Sequence, residues 1–208
     1  MVKTAMAPAT TRERLVSAMA SALQRRGLHG VGLNELLAEA QAPKGVLYHH
    51  FPGGKTELAV AAIEATVARL TQALDKLIAK QAEPLAVLGA WITGAQQQLA
   101  GSAFERGCPL ATVALESTAD DPAIRAALAS AFAQLRDRLA QMFIAHGLAA
   151  ARAGGLATLV VAAYEGALIQ ARVAGDAAPL RETGQVLLQL LQAEMPPRMQ
   201  MPQRPGPR

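Results

Sequence analysis

An all-α fold is predicted, on three observations. Hydrophobic residues make up 51% of the chain but aromatics only 3%, so the apolar content is mostly Ala, Leu and Val, and Ala and Leu are strong helix formers. No run of alternating β-branched residues reads as a strand. Seven prolines (Pro8, Pro43, Pro52, Pro84, Pro109, Pro122 and Pro179) punctuate the chain without breaking a long apolar-periodic run. Proline is tolerated at helix first turns and connections, so this spacing suits helices.

The elements follow in order. Thr10 and Glu13 have capping-box spacing, Leu15, Val16, Met19 and Leu23 form one apolar face, and Gly27 ends a first helix. A second, short helix follows Gly32, with Leu33, Leu36, Leu37 and Ala40 at helical spacing. A break at Gln41-Ala42-Pro43 leads to a third helix, Lys44 to Phe51, and Pro52-Gly53-Gly54 forms a turn. A long helix is expected from Lys55 to Gln81, then helices over 84–101, 109–118, 122–146, 150–174 and 178–194, about nine in all. Asp120-Asp121-Pro122 reads as a helix start, with acids at the positive dipole end. Gly147, Gly154-Gly155 and Gly175 are expected at or near helix ends. The organisation expected is a helix-turn-helix unit over 1–54, a helical body over 55–195 and a disordered basic tail over 196–208.

Composition excludes several classes. One Cys in 208 residues rules out a disulfide framework and a multi-cysteine zinc site, and no cofactor or metal is expected. The first 14 residues hold no apolar run of signal-peptide length. The longest uncharged stretch, Pro84 to Phe104, contains Thr, Ser and three Gln and does not read as a membrane span. A cytoplasmic protein is expected. Charge is uneven: +3 over residues 1–60, −2 over 61–195 and +3 over 196–208. A basic N-terminal segment on a near-neutral body suggests a polyanionic partner for that segment, although a solvated arginine-rich face would look the same.

The third helix carries the chemistry. The segment PKGVLYHHF places Lys44, Tyr48, His49 and His50 within two turns. Lys44 stands at a helix N-terminus, where dipole and side chain both attract phosphate. Gly45 lets the backbone approach DNA closely, Val46 offers an apolar surface to a thymine methyl, and Tyr48, His49 and His50 can hydrogen-bond phosphates or base edges. A short helix after a tight break suits the major groove.

Residues 10–60 resemble the headpiece of the TetR/AcrR family of transcriptional regulators. The resemblance rests on Thr11-Arg12-Glu13-Arg14, Arg26-Gly27, Leu36, Ala40, the run Pro43 to Pro52, and Lys55-Thr56-Glu57-Leu58. It implies that the third helix enters the major groove and that Lys55 grips a phosphate. Gly32 and Pro43 depart from the hydroxyl residues frequent there, and Pro52-Gly53-Gly54 is one residue longer than in many members. Ala-Pro-Lys-Gly and Phe-Pro-Gly-Gly-Lys are similar to the LmrA/YxaF-like branch, as are Arg106 to Leu110, Ala114-Leu115-Glu116, Glu165 to Leu168, Ala171-Arg172 and Pro179-Leu180. The resemblance implies a C-terminal ligand pocket, a dimer formed by the last two helices, and drug-like or flavonoid-like effectors.

Residues of the body are weighed individually. Cys108 is expected to be a small buried residue before a helix-starting proline, since no resolving Cys exists. His146 is expected near a helix C-terminus at Gly147, and Glu116 and Glu165 are either pocket groups or partners of a nearby Arg. The uncharged stretches Pro84–Phe104 and Ala153–Tyr164 predict an enclosed apolar site for a small apolar or aromatic effector. Trp91, Phe104, Phe143 and Tyr164 would supply flat contacts, and Gln96, Glu116 and Gln170 hydrogen bonds. A homodimer is expected through residues 150–194, on stripes of Leu159, Val160, Ala163, Ala167, Leu168 and Ala171 and of Leu180, Leu187, Leu190 and Leu191, with Gly166 allowing close approach.

The expected function is a ligand-responsive DNA-binding regulator, a repressor released from a near-palindromic operator on double-stranded DNA. An enzyme is the rival class. The sequence holds no nucleophile–base pairing, paired carboxylates or phosphate loop at motif spacing. A helical interaction or small-molecule-binding module without operator binding is the third, and the joint presence of Lys44, Tyr48, His50 and Lys55 argues against it.

Overall fold

The computed structural model describes residues 9–81 and 83–195. Among them the chain forms nine α-helices: α1 (Thr11–Arg26), α2 (Leu33–Glu39), α3 (Lys44–His50), α4 (Gly54–Lys80), α5 (Pro84–Gly101), α6 (Pro109–Glu116), α7 (Pro122–Ala145), α8 (Ala150–Ala174) and α9 (Ala178–Glu194). The tail expected over 196–208 lies outside the described residues.

Local chemistry sets the helix ends. At α1 the Thr10 hydroxyl accepts from the Glu13 N–H at 3.2 Å, and the Glu13 carboxylate accepts from the Thr10 N–H at 2.7 Å, closing the capping box. The Thr10 N–H, and then the Thr10 hydroxyl, donate to the Glu13 carboxylate and hold it below the usual carboxylate range. Gly27 ends the helix at φ +71°. Helix α6 stops at Glu116, two residues short of the expected 118, because Thr118 turns to Asp121: its N–H and hydroxyl both donate to that carboxylate, at 3.0 and 3.1 Å. Gly154 and Gly155 are the fifth and sixth residues of α8, near its N-terminal end; the Gly154 carbonyl accepts from the Thr158 hydroxyl at 3.0 Å.

Helices α1, α2 and α3 fold around Leu15, Met19, Leu23, Leu36, Leu47 and Phe51, all nearly inaccessible to solvent. Arg14 donates from Nε to the Ala40 carbonyl at 3.1 Å and pins the end of α2 to α1. The same core continues into α4 through Leu58, Ala59, Ala62 and Ile63, and into α6 and α7 through Leu110, Val113, Ile124 and Leu128. Residue 54 therefore marks a change of topology and not of packing. Burial of each Leu or Phe side chain contributes about 2 kcal/mol, so the shared core resists independent movement of the headpiece.

The body packs α4 against α7, α7 against α8, and α8 against α9, with α5 against α9. By length and composition α8 alone among the described helices is apolar enough to cross a membrane, yet only 33% of its most apolar stretch is buried in the protomer. Its two apolar faces account for this. Val160, Ala167, Leu168 and Ala171 face inward, while Leu159, Ile169 and Val173 are 45%, 41% and 84% exposed.

Candidate nucleic-acid interface and ligand cavity

Helix α3 divides cleanly. Leu47 and Phe51 are buried at 0% and 1% exposure, and the Arg12 guanidinium lies 5.2 Å from the Phe51 ring centroid. Helical geometry then turns Lys44, Gly45, Tyr48 and His49 to solvent, with Val46 and His50 half-buried at the edge. The rings of His49 and His50 sit 5.1 Å apart, edge to face. A Cβ on Gly45 would meet nothing within 4 Å, so packing within the protomer does not call for glycine there. At the start of α4, Gly53 donates its N–H to the Glu57 carboxylate at 2.7 Å. Lys55 is half-buried beside this turn; burial pushes its ammonium down, and the opposite charge of Glu116 pushes back. The structure thus brings Lys44, Gly45, Val46, Tyr48, His49, His50 and Lys55 onto the α3–α4 corner, with a solvent-facing surface that can meet a duplex.

A cavity of about 180 Å³ lies in the body between α4, α5, α7 and α8, closed on one side by Arg106 to Pro109. Its walls are mostly apolar: Leu70, Leu74, Leu88, Leu135, Leu139, Val160 and Leu168. Trp91 and Tyr164 line it with ring centroids 6.1 Å apart. Burial raises the Tyr164 hydroxyl far above its ordinary range. Glu165 projects into the same space. Burial pushes its carboxyl up to about 7, partly offset by a hydrogen bond from the Cys108 thiol, and its Oε2 is buried with no hydrogen-bond partner. Cys108, at the N-cap of α6, is itself pushed well up, first by burial and then by the Glu165 charge. It is held as a thiol, which is the unreactive form.

Five residues expected at the ligand site lie elsewhere. Gln96 sits on α5 off the lining face; steps of three and four residues from Trp91 lead to Ala95 and Gln98, which do line the cavity. Phe143 is fully buried in the core with Met142, Leu139 and Leu156. Phe104 follows α5 at φ +64° and lines a separate open groove with Leu115, Ile169 and Val173. Gln170 is exposed, and its amide donates to the Gly166 carbonyl at 3.3 Å. Glu116 accepts from the Leu28 and His29 N–H groups at 2.5 and 3.1 Å, tying α6 to the segment after α1. Gln98 and Arg69 were missed as site residues, while Glu165, expected as either a pocket group or the partner of an arginine, lines the cavity. Glu165 had a legible signal, being the single carboxylate in the 25 residues of α8.

Two further bonds join body to headpiece. Gln24 of α1 donates from Nε2 to the Gly107 carbonyl at 2.8 Å, and Arg172 of α8 donates to the Arg25 carbonyl at 3.1 Å. Gly107 also lines the cavity, so the wall of the cavity is bonded directly to α1.

The dimer stripes need the same correction as the ligand site. Val160, Ala167, Leu168, Ala171, Leu180, Leu187 and Leu191 are buried within the protomer. Leu159 and Leu190 of the expected stripes are exposed, and the apolar surface they belong to is completed by Ile169 and Val173 of α8 and Val186 of α9.

Comparison with known proteins agrees with this architecture. Residues 15–62 match the family described as bacterial regulatory proteins, tetR family, and residues 84–186 the C-terminal domain described as transcriptional regulator LmrA/YxaF-like. An uncharacterised helix-turn-helix transcriptional regulator of Mycobacterium tuberculosis is 35% identical over 192 residues, covering 90% of this chain and 97% of the relative. The helix-turn-helix regulator LmrA of Bacillus subtilis is 28% identical over 181 residues, covering 87% of this chain and 96% of its own. The crystal structure of a regulatory protein TetR from Rhodobacter sphaeroides superposes with a TM-score of 0.77 at 28% identity, over 87% of this chain and 98% of that one.

Proposed function

This chain belongs to the TetR family, in its LmrA/YxaF-like branch, and is a DNA-binding transcriptional regulator, not an enzyme; from that premise we propose that it is a cytoplasmic homodimeric repressor released from a near-palindromic operator by a small apolar effector. The observation that carries the effector reading is the bonded cavity wall. Gly107 lines the body cavity and accepts from Gln24 of α1, and α1 shares its core with the α3 helix that presents Lys44, Tyr48 and His49. A ligand that favours one position of the Arg106–Pro109 segment would thereby favour one position of the headpiece, a population shift.

The homodimer is supported by the outer face of α8. Gly155, Leu159, Ala162, Gly166, Ile169 and Val173 recur at three- and four-residue steps, which aligns them on one side of the helix. A Cβ on Gly155 or Gly166 would meet nothing in the protomer, which fits small residues kept for the close approach of a second helix. Two copies related by a two-fold axis would present two α3 helices to two half-sites.

Fluorescence anisotropy with the DNA upstream of its own gene tests operator binding. Lys44→Ala and Lys55→Ala are each expected to weaken binding with little sequence preference and to lower the salt slope by about 1, as for one lost phosphate contact. An unchanged slope in both variants removes the α3–α4 corner from the interface.

A further inference from the structure

The cavity holds a feature that an apolar ligand alone does not explain. Glu165 Oε2 is buried without a partner among the described residues, in a space walled mostly by aliphatic side chains. An unpaired buried acceptor is costly, and an ionised one more so. The neighbouring polar groups do not remove that cost. No hydrogen bond from the Tyr164 hydroxyl or from the Cys108 thiol reaches Oε2, although both residues line the same cavity. Arg69 and Arg106 stand at the mouth, where the cavity passes into an open groove, and their side chains are exposed and screened by solvent. Trp91 and Tyr164 line the same cavity, and aromatic faces attract positive charge through their ring quadrupoles.

We propose that Glu165 anchors the ligand, and that the cavity takes a protonated amine carried on an aromatic or otherwise apolar body. This deepens the effector reading above and rests on it. An ammonium against Oε2 supplies the missing donor and compensates the buried charge, whereas a neutral alcohol supplies only the donor. A carboxylate ligand would meet like charge. The size of the cavity, about 180 Å³, suits a body of one or two fused rings.

The proposal carries a pH signature. The titratable and charged groups on the elements around Glu165 are Arg69 on α4, Arg106 and Cys108 between α5 and α6, and Tyr164 and Arg172 on α8; α1, α5 and α7 contribute Gln24, Gln98, Leu135 and Leu139, none of them charged. The arginines stay charged, and Cys108 and Tyr164, both raised, stay neutral through the neutral range. Glu165 alone changes charge there, near 7.

Isothermal titration calorimetry with 1-naphthylmethylamine, 1-naphthylmethanol and 1-naphthoic acid is the test. The three share one ring body and differ in the head group. The amine is expected to bind at least 10-fold tighter than the alcohol near pH 8, and to lose about 30-fold on going to about pH 5.5 as Glu165 takes a proton near 7. Below pH 7, amine binding should release close to one proton, read from buffers of different ionisation enthalpy. The alcohol should show a flat profile and the acid the weakest binding. Glu165→Gln should bring the amine to the affinity of the alcohol and abolish its pH slope. Equal binding of amine and alcohol, a flat amine profile in the wild-type protein, or tightest binding of the acid overturns the anchor and leaves the cavity standing. Failure of all three to bind overturns the effector-cavity reading itself. The wild-type profile decides the matter even where the Gln variant fails to fold.

Discussion

Gly27 shows how much one residue can hold. Its φ of +71° lies in the left-handed region that favours glycine, and a Cβ there would fall 1.8 Å from Glu116 Oε1. The same carboxylate accepts from the Leu28 and His29 N–H groups, so adding a methyl both strains the turn and expels its cap. Gly27→Ala is expected to cost about 2 kcal/mol, a fall in Tm of roughly 4–8 °C by thermal denaturation. Glu165 makes a second residue-scale prediction, in the unliganded protein. Its folded-state value, about 7, lies above the ordinary 4.5, so the folded state holds its proton longer than the unfolded chain. Its contribution to stability is complete below about pH 4.5 and is lost as pH rises toward 7, by at most about 3 kcal/mol. Glu165→Gln cannot ionise. Its Tm should gain on the wild type as pH rises from 5 to 7, and a constant difference across that range would contradict the assignment. Exposed ion pairs such as Arg25–Glu39 and Arg26–Glu35 connect α1 to α2 but add little in water.

At the level of elements, α3 and α8 each have two faces with different tasks. In α3 the apolar face, Leu47 and Phe51, fixes the helix to the headpiece core and leaves the basic and aromatic face free. In α8 the inner face builds the cavity, and the outer face with Val186 and Leu190 of α9 has no cover within the protomer. A charge introduced on that outer face would be buried without a partner in a dimer but remain solvated in a monomer. Val173→Asp and Leu190→Asp are therefore expected to shift the protein from dimer to monomer at micromolar concentration, with Tm of the monomer little changed. Multi-angle light scattering distinguishes the two. A dimer that survives both substitutions places the interface elsewhere.

On the scale of the whole molecule, four hydrogen bonds among the described residues add to the shared core in joining the body to the end of α1 and the segment after it: Gln24 to Gly107, Arg172 to the Arg25 carbonyl, and the Leu28 and His29 N–H groups to Glu116. The first originates at the cavity wall. Coupling between ligand and DNA is a free energy shared by such contacts, commonly 1–3 kcal/mol in total, of which one hydrogen bond supplies about 1. Gln24→Ala is expected to leave DNA affinity within threefold and to raise the amine concentration that half-releases the upstream DNA about fivefold, measured by anisotropy competition. Equal release in wild type and variant would show that the signal bypasses this bond.

Helix positions and the solvent-facing side of α3 were legible in the sequence because they depend on neighbours in the chain. The Thr10–Glu13 capping box, the prolines that open α5, α6 and α7, and the spacing of Leu47 and Phe51 against Lys44 and Tyr48 all act within a few residues. The cavity lining was mostly hidden. Trp91 and Tyr164 were anticipated, but Phe143 entered the core, Gln98 and not Gln96 turned inward, and Glu116 went to the α1 cap. The exposed apolar face was only partly legible, Leu159 and Leu190 having been grouped with buried neighbours: α8 is apolar on both sides, so periodicity alone could not tell its inner face from its outer one. Which apolar face meets a neighbour, and which carboxylate is left buried without a donor, depends on contacts between helices far apart in the chain, and only the tertiary structure decided them.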